Sequence, residues 1–295
     1  MVGDSHQPLD SNQTGPRLNG AARQHNVAQI IEALEAVHGA HSSNETRRQA
    51  SSFLEEAKTN DEAPYHGFSL ASDRSQPPVV RHFALSLLEY AIRHRWVDYT
   101  EAQALALRQW VTSLAQLVEP NDPPYLRNKI AQLWIEVAKR SWANEWLDMD
   151  EELVRLWTRD ETTDTYKILV AEVLEGLSED VFNREDATAT LRGSTLSKAC
   201  VDIFTPAVVL QEQFPNRNSS RRVRCGDEGW MVRLAEFLFK WTEHPVEDQT
   251  CAIKVIATLK AALGWAIPKA IVASRCVPSI CRCLALPNVA MQMVS

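Results

Sequence analysis

The chain has 295 residues, 45% of them hydrophobic, and its 31 Lys and Arg against 38 Asp and Glu give a formal net charge of −7. This composition is typical of a soluble protein with enough apolar side chains for a large core or an extended array. The negative charge argues against a compact basic domain that binds nucleic acid, so any contact with RNA is expected to be local.

The N-terminal segment, residues 1–25, is rich in Ser, Asn, Gln, Gly and Pro and has no apolar stretch of the kind a secretory signal needs. We predict a disordered tail there. The six cysteines of a chain without such a signal are expected to be reduced thiols, which indicates the cytosol or the nucleus. The longest apolar stretch, residues 261–273, is interrupted by Pro268 and Lys269 and is shorter than the roughly 20 helical residues that span a bilayer, so no membrane insertion is predicted.

Long helices with one buried face are predicted along most of the remaining chain. No glycine occurs between Gly67 and Gly176, and prolines cluster at the breaks between helices. Apolar residues recur at spacings of three and four, the period of an α-helix, and alternation with a period of two is absent. The apolar stripes run through residues 79–92, 126–138 and 166–177, with a weaker one through residues 231–241. The sequence therefore predicts an all-α protein.

A helix-pair rhythm follows from the amphipathic runs that come after each break, at residues 44–58, 100–118, 150–157 and 248–262. We predict that each stripe pairs with the run that follows it. Trp96 and Trp142 close two successive stripe helices and stand 46 residues apart, within the period of about 40 to 47 that is typical of HEAT and armadillo repeats. A single helix pair cannot cover its own apolar faces, so the pairs are expected to stack into a solenoid. An ordinary helical bundle is the alternative.

The rhythm loosens between Phe182 and Gly229. One helix is predicted from Asp186 to Leu210, weakened at Gly193 by about 1 kcal/mol relative to Ala. Residues 213–224 form a predicted exposed loop whose arginines either touch a phosphate or lie in solvent; these are Arg221, Arg222 and Arg224. The sequence stops at Ser295 within a further predicted helix, without the polar capping repeat that usually ends a solenoid, so we expect a chain truncated at its C-terminus.

Motifs for catalysis were sought along the whole sequence. It contains no P-loop, dinucleotide-binding glycine pattern, nucleophile elbow or His-Glu-x-x-His motif, so we predict that the protein is not an enzyme and uses no cofactor. Cys276, Cys281 and Cys283 lack the paired Cys-x-x-Cys spacing of zinc modules and have no histidine nearby. At helical pitch Cys276 and Cys283 share a face with Ile280, which favours buried core thiols over a metal site.

Two stretches resemble the karyopherin-beta (importin-beta/exportin) superfamily, and most closely its exportin-5 branch. The segment from Val79 to Trp96, VVRHFALSLLEYAIRHRW, is similar to the second-repeat helix of these receptors. The segment from Ile130 to Met149 is similar to a basic-x-Trp-x-x-x-Trp corner of exportins, in which Trp142 and Trp146 are the aromatic residues. Ala143 and Leu147 stand where exportins usually carry proline, so we expect a less rigid turn. Three tryptophans are predicted structural anchors, namely Trp96, Trp142 and Trp146.

This resemblance covers residues 27–157 well and residues 230–295 more faintly. It implies a HEAT-repeat (armadillo-like) α-solenoid wound as a right-handed superhelix over residues 26–295, with an N-terminal Ran-binding region at about 26–160 and exportin-1-like repeats at about 161–295. It also implies an export receptor that shuttles between nucleus and cytoplasm and binds the GTPase Ran in its GTP form and nucleoporins. The implied cargo is either a protein, with or without phosphorylation, or a structured RNA. An importin-type receptor and a HEAT or armadillo scaffold without Ran dependence are the alternatives.

In receptors of this family, Ran docks on the inner wall, which is made by the second helix of each repeat. With the pairing given above, the implied Ran-facing helices are residues 46–58, 100–118 and 150–157. The faces opposite their apolar stripes carry the candidate partner-binding residues, which are Arg48, Ser52, Glu55, Arg108, Thr112, Glu151 and Arg155. The alternative for each of these side chains is an ordinary solvated helix face.

Overall fold

The computed structural model describes residues 20–159, 163–183, 186–217, 223–246 and 248–286, with side chains from residue 27 onward. Regular structure in these ranges is helical, without a β-strand, which confirms the all-α prediction. The first eight helices are α1 (Gly20–His38), α2 (Asn44–Ala57), α3 (Ala63–Ser72), α4 (Pro78–Arg95), α5 (Glu101–Gln116), α6 (Pro124–Ser141), α7 (Met149–Trp157) and α8 (Thr165–Ser178). The other seven are α9 (Ala187–Leu191), α10 (Gly193–Phe204), α11 (Ala207–Gln213), α12 (Trp230–Glu243), α13 (Thr250–Leu263), α14 (Pro268–Ser274) and α15 (Cys276–Leu284).

Helix α1 begins at Gly20, inside the stretch predicted as a tail, and residues 1–19 lie outside the described part of the chain. No helix in the described ranges has both the length and the apolar character needed to cross a bilayer. All six cysteines are free thiols, and Cys276 and Cys283 are fully buried. Cys281 is exposed.

Local sequence explains where the helices begin. The Ser43 hydroxyl accepts a hydrogen bond from the Thr46 amide at the start of α2, and Thr100 with Gln103 forms a reciprocal capping box at the start of α5. Pro78 and Pro124 occupy the first positions of α4 and α6, where a missing N–H is tolerated. The prolines that separated the predicted helices therefore start the next ones.

Helices pack as antiparallel neighbours in the order α1 on α2, α3 on α4, α5 on α6, α7 on α8, and α12 on α13. The helices α4, α6, α8 and α13 also pack side by side in one row, hereafter the second-helix layer, while α1, α3 and α5 pack in another, the first-helix layer. This stacking confirms the HEAT-repeat solenoid; the handedness of its superhelix stays a prediction. The predicted pairing is wrong by one helix, because α5 packs on α6, which follows it, and not on α4.

The core runs through the stack between the two layers. The predicted stripe of α4 is confirmed, since Ala84, Leu87 and Leu88 have no exposed surface, and Leu133 and Val137 of α6 are equally buried. Burying one large aliphatic side chain contributes about 1.5–3 kcal/mol, so each stripe of four or five such residues is enough to hold neighbouring helices together.

The helix predicted from Asp186 to Leu210 is divided into three, α9, α10 and α11, so that prediction is wrong. The first break is at Arg192, whose φ of −117° is not helical. The second is at Pro206, which has no N–H to donate and forces the preceding Thr205 into an extended conformation. Of the predicted loop, Arg221 and Arg222 lie outside the described residues, whereas Arg224 is held by hydrogen bonds to the carbonyls of Thr205 and Gly226.

Candidate partner-binding surface

Ion pairs connect each helix of the second-helix layer to the next. Lys129 of α6 lies 2.5 Å from Glu89 of α4, and Arg127 of α6 lies 3.4 Å from Glu172 of α8. Lys254 of α13 extends the series, with its Nζ 3.0 Å from Glu175 of α8. Each pair joins a cation on one helix to a carboxylate on the next, so these charges on the surface of the layer neutralise one another.

A cleft of about 500 Å³ opens where α4, α6 and α8 meet. Its exposed rim carries Arg93, Asn128 and Gln132, and side-chain carboxylates form its far side. Arg93 keeps 45% of its side chain exposed and approaches Glu136 at 3.8 Å. The complete lining is Arg93, Asn128, Gln132, Ile135, Glu136, Gly176, Asp180 and Asp186.

One buried ammonium group binds the three carboxylates at the floor of this cleft. Lys139 is 1% exposed, and its Nζ lies 2.9 Å from each of three carboxylates, those of Glu136, Asp180 and Asp186. We call these four residues the lysine node. The three carboxylates have oxygens within 4.8 Å of one another, as metal ligands do, but the Lys139 ammonium occupies the position of the cation. The node ties α6 to the turn after α8 and to the start of α9.

Titration of the node follows from burial and pairing. Burial alone raises the pKa of Glu136, yet the hydrogen bonds and charges of Lys139 and Arg140 together lower it below its ordinary value. The same opposition lowers the pKa of Asp186. Burial lowers the pKa of Lys139, but its three carboxylate partners raise it overall. Glu136, Lys139 and Asp186 are therefore charged at neutral pH, and the node is a fixed structural element.

The structure does not bring the predicted partner-binding residues to one surface. Arg48, Ser52 and Glu55 lie exposed on α2, the second helix of the first pair, where Arg48 pairs with Glu45 and Glu55 pairs with Lys58. The other four lie on α5 and α7, which are first helices of their pairs, because of the shift in pairing described above. These four are Arg108, Thr112, Glu151 and Arg155.

Contacts within the chain account for part of this second set. Arg108 donates a 2.7 Å hydrogen bond to the Glu145 carbonyl, and its guanidinium lies 5.9 Å from the Trp146 ring. The Thr112 hydroxyl lies 3.3 Å from Glu152, and Arg155 pairs with Glu151 at 2.5 Å. Four polar residues of the second-helix layer were not among those predicted from the sequence: Glu89, Arg93, Lys129 and Gln132. The signal that identifies them is the polar face of α4 and of α6, opposite the apolar stripe of each helix.

Both tryptophans of the predicted corner lie in the core. Trp142 and Trp146 are 0% and 1% exposed, and the Trp146 ring lies 5.0 Å from that of Trp134. Ala143 adopts a left-handed conformation with φ of 66°, which proline cannot reach because its ring fixes φ near −65°. A turn with proline at this position would need a different backbone conformation. Alanine therefore changes the geometry of the turn and not only its rigidity. Trp96, at the end of α4, is half-buried against the core.

Arg192 binds the same corner. It lies between α9 and α10, in the segment from α8 to α12 that we call the insertion. Its guanidinium donates a 2.9 Å hydrogen bond to the carbonyl of Lys139, in the last turn of α6, and a 2.6 Å hydrogen bond to the carbonyl of Trp142, which follows that helix. Carbonyls at the C-terminal end of a helix have no partner within it. Burial lowers the pKa of this guanidinium. The insertion thus caps the helix that carries the lysine node.

A buried carboxylate ties the insertion to α7. Asp150 is 2% exposed and accepts hydrogen bonds from the Cys225 amide at 2.6 Å and from the Trp230 indole at 2.5 Å. Burial raises the pKa of Asp150 to about 6, against the lowering effect of the two hydrogen bonds and of the nearby Arg233 and Arg224. Asp150 is thus ionised in the folded protein only above mildly acidic pH.

Comparison with known families gives two adjoining matches. An importin-beta N-terminal domain matches residues 50–136, and an exportin 1-like protein family matches residues 123–209. The overlap falls on α6, in the middle of the second-helix layer. Together the two matches run without a gap from α2 to α11.

Three relatives are similar to this chain. Protein MSN5 of Saccharomyces cerevisiae is 29% identical over 273 residues, which cover 88% of this chain and 22% of the relative. Exportin-5 of Dictyostelium discoideum is 27% identical and exportin-5 of Homo sapiens 28% identical, each over 52% of this chain and 13% of the relative. The chain thus spans about a fifth of MSN5 and less of the exportins. These matches support the resemblance predicted from the sequence: the chain is similar to the N-terminal region of karyopherin-beta receptors of the exportin-5 type.

Proposed function

We propose that this chain acts as the Ran-binding part of a nuclear export receptor that shuttles between nucleus and cytoplasm. The observation that carries the proposal is the continuous pair of family matches over residues 50–209, placed on stacked helix pairs. Two relatives are exportins by name. The proposed role is binding rather than catalysis, since the sequence offers no catalytic motif.

Ran in its GTP form is proposed to dock on the second helices of the first pairs, α2, α4, α6 and α8. This assignment keeps the family's rule that second helices line the inner wall and applies it to the pairing found in the structure. It retains Arg48, Ser52 and Glu55 as contact residues and replaces the predicted residues on α5 and α7 by Arg93, Asn128 and Gln132.

Cooperation between Ran and cargo suits a solenoid, because each repeat touches only its neighbours and small rotations add up along the array. The ion pairs between α4, α6, α8 and α13 lie at these repeat junctions, so a partner that shifts one junction biases the next. A coupling of about 1–3 kcal/mol between two sites corresponds to about 5- to 150-fold in affinity. The proposed cargo is a protein, with or without phosphorylation, or a structured RNA, and nucleoporins are further proposed partners.

Binding of the purified chain to Ran locked with a GTP analogue or with GDP, measured by biolayer interferometry, tests the proposal. A receptor prefers the GTP form, whereas a HEAT or armadillo scaffold shows no nucleotide preference. The sign of the coupling then separates the two receptor types in the full-length protein. Ran-GTP raises the affinity for cargo in an exportin and lowers it in an importin.

A further inference from the structure

A groove of about 660 Å³ lies between α12 and the helices α14 and α15, away from the second-helix layer. Its floor is largely apolar and includes Val232, Ala235, Phe239 and Pro278. Phe239 keeps 43% of its surface exposed, which is unusual for a phenylalanine on a helix with a buried face. This volume is within the range of about 300–1,000 Å³ of ligand pockets, so it can take one or two large apolar side chains.

The rim of this groove is positively charged in a chain of net charge −7. Lys240, Arg275 and Arg282 line it, against the single carboxylate of Glu236. Within the described residues these three cations form no ion pair, whereas the cations of the second-helix layer are paired. Such a concentration of unpaired positive charge around an apolar floor is complementary to an anionic partner with an apolar anchor.

Two details of the groove favour a peptide over a nucleic acid. The Arg282 guanidinium lies 4.1 Å from the centre of the Phe239 ring and covers one of its two faces, which leaves less flat surface for a base to stack on. Arg275 has a left-handed backbone with φ of 56°, and this residue breaks the helix between α14 and α15 at the groove. Non-glycine residues held in this region are often found at binding sites.

We propose that the α12–α15 groove binds an acidic peptide segment of a partner protein, which inserts one apolar side chain against Phe239 and places flanking Asp or Glu carboxylates on Lys240, Arg275 and Arg282. Carboxylates form short, charge-assisted hydrogen bonds with guanidinium groups, and those bonds fix the register of the peptide. The site is separate from the Ran surface, so it does not depend on the proposed function and both can be occupied at once.

Peptide display on the immobilised, Ran-free chain tests this proposal. We expect enrichment of sequences with one Leu, Ile, Phe or Trp flanked by Asp and Glu. The best peptide, measured by fluorescence anisotropy, should lose about tenfold or more in affinity with Phe239→Ser and with Arg282→Glu. Higher salt should weaken its binding as well. Lys240→Glu, an exposed substitution on the rim, repeats the test without touching the floor.

Leu191→Ser and Lys260→Glu are the matched controls, since both side chains are exposed and lie outside the groove. They should leave the affinity unchanged, and far-UV circular dichroism shows that every variant is folded. No enrichment, enrichment of basic peptides or of Phe-Gly sequences without acidic flanks, or affinities insensitive to the groove substitutions overturns the proposal. Tighter binding of an oligouridine, or self-association of the chain, that is lost in the same variants overturns it too.

Discussion

Replacing Lys139 by methionine removes the one cation of the lysine node while keeping the length of the side chain. In the wild-type protein the ammonium lies 2.9 Å from the carboxylates of Glu136, Asp180 and Asp186. Without it, Glu136 retains Arg140 at 2.6 Å, but Asp180 and Asp186 face each other with their shared cation gone. Breaking a buried ion pair by removing one partner costs about 3–5 kcal/mol, so we expect a loss of that size at pH 7.

The loss should shrink in acid. In the wild-type protein the pKa values of Glu136 and Asp186 are lowered, so their contribution to stability is present above the unfolded pKa of about 4 and disappears as the pH falls through the folded pKa. At about pH 3 the carboxylates of the variant become protonated and no longer repel one another. Urea denaturation at both pH values, followed by far-UV circular dichroism, measures the free energy of unfolding.

Lys58→Met is the matched control, because Lys58 forms an ion pair with Glu55, whose side chain is 71% exposed. It should change the free energy of unfolding by less than about 1 kcal/mol. The reasoning about the node is refuted if Lys139→Met and Lys58→Met lose similar amounts, or if the loss at Lys139 is the same at both pH values.

Three further substitutions have defined outcomes. Ala143→Gly should raise the free energy of unfolding by about 1 kcal/mol, because glycine reaches φ of 66° without the strain of a side chain. Ala143→Pro should lower the free energy of unfolding strongly, and a gain with proline contradicts the turn geometry. Arg192→Ala should cost about 1–3 kcal/mol in thermal or urea denaturation, because it leaves the carbonyls of Lys139 and Trp142 without their donor; no loss contradicts the capping role. The raised pKa of Asp150 predicts that, as the pH rises from 4 to 6, wild-type stability falls by about 2 kcal/mol more than that of Asp150→Asn; parallel pH profiles contradict that shift.

Periodicity predicted the buried faces well, because an apolar stripe such as that of α4 has only one way to avoid water. It could not predict which neighbour covers a stripe. The links on either side of α5 are both short, residues 96–100 and 117–123, so the sequence leaves its partner undetermined and the predicted pairing was shifted by one helix. That shift also placed four of the seven predicted partner-binding residues on first helices of their pairs, α5 and α7.

Contacts between residues far apart in sequence account for what else was missed. Lys139 meets Asp180 and Asp186 across 41 and 47 residues, and Asp150 meets Cys225 and Trp230 across 75 and 80. Each of these charged residues reads as an ordinary surface position in its own helix. These partners come together only because the repeats stack and because the segment between α8 and α12 packs back against α6 and α7.

We propose that the second helices, and not the first, hold Ran-GTP. Two matched double variants test it by biolayer interferometry with the purified chain: Arg48→Glu with Gln132→Arg on α2 and α6, and Arg155→Glu with Gln109→Arg on α7 and α5. All four side chains are exposed, and the two variants make the same chemical changes. We expect the first variant to lose about tenfold or more in affinity for Ran-GTP and the second to bind like the wild-type chain. Loss in the second variant alone, or wild-type binding in both, contradicts the account.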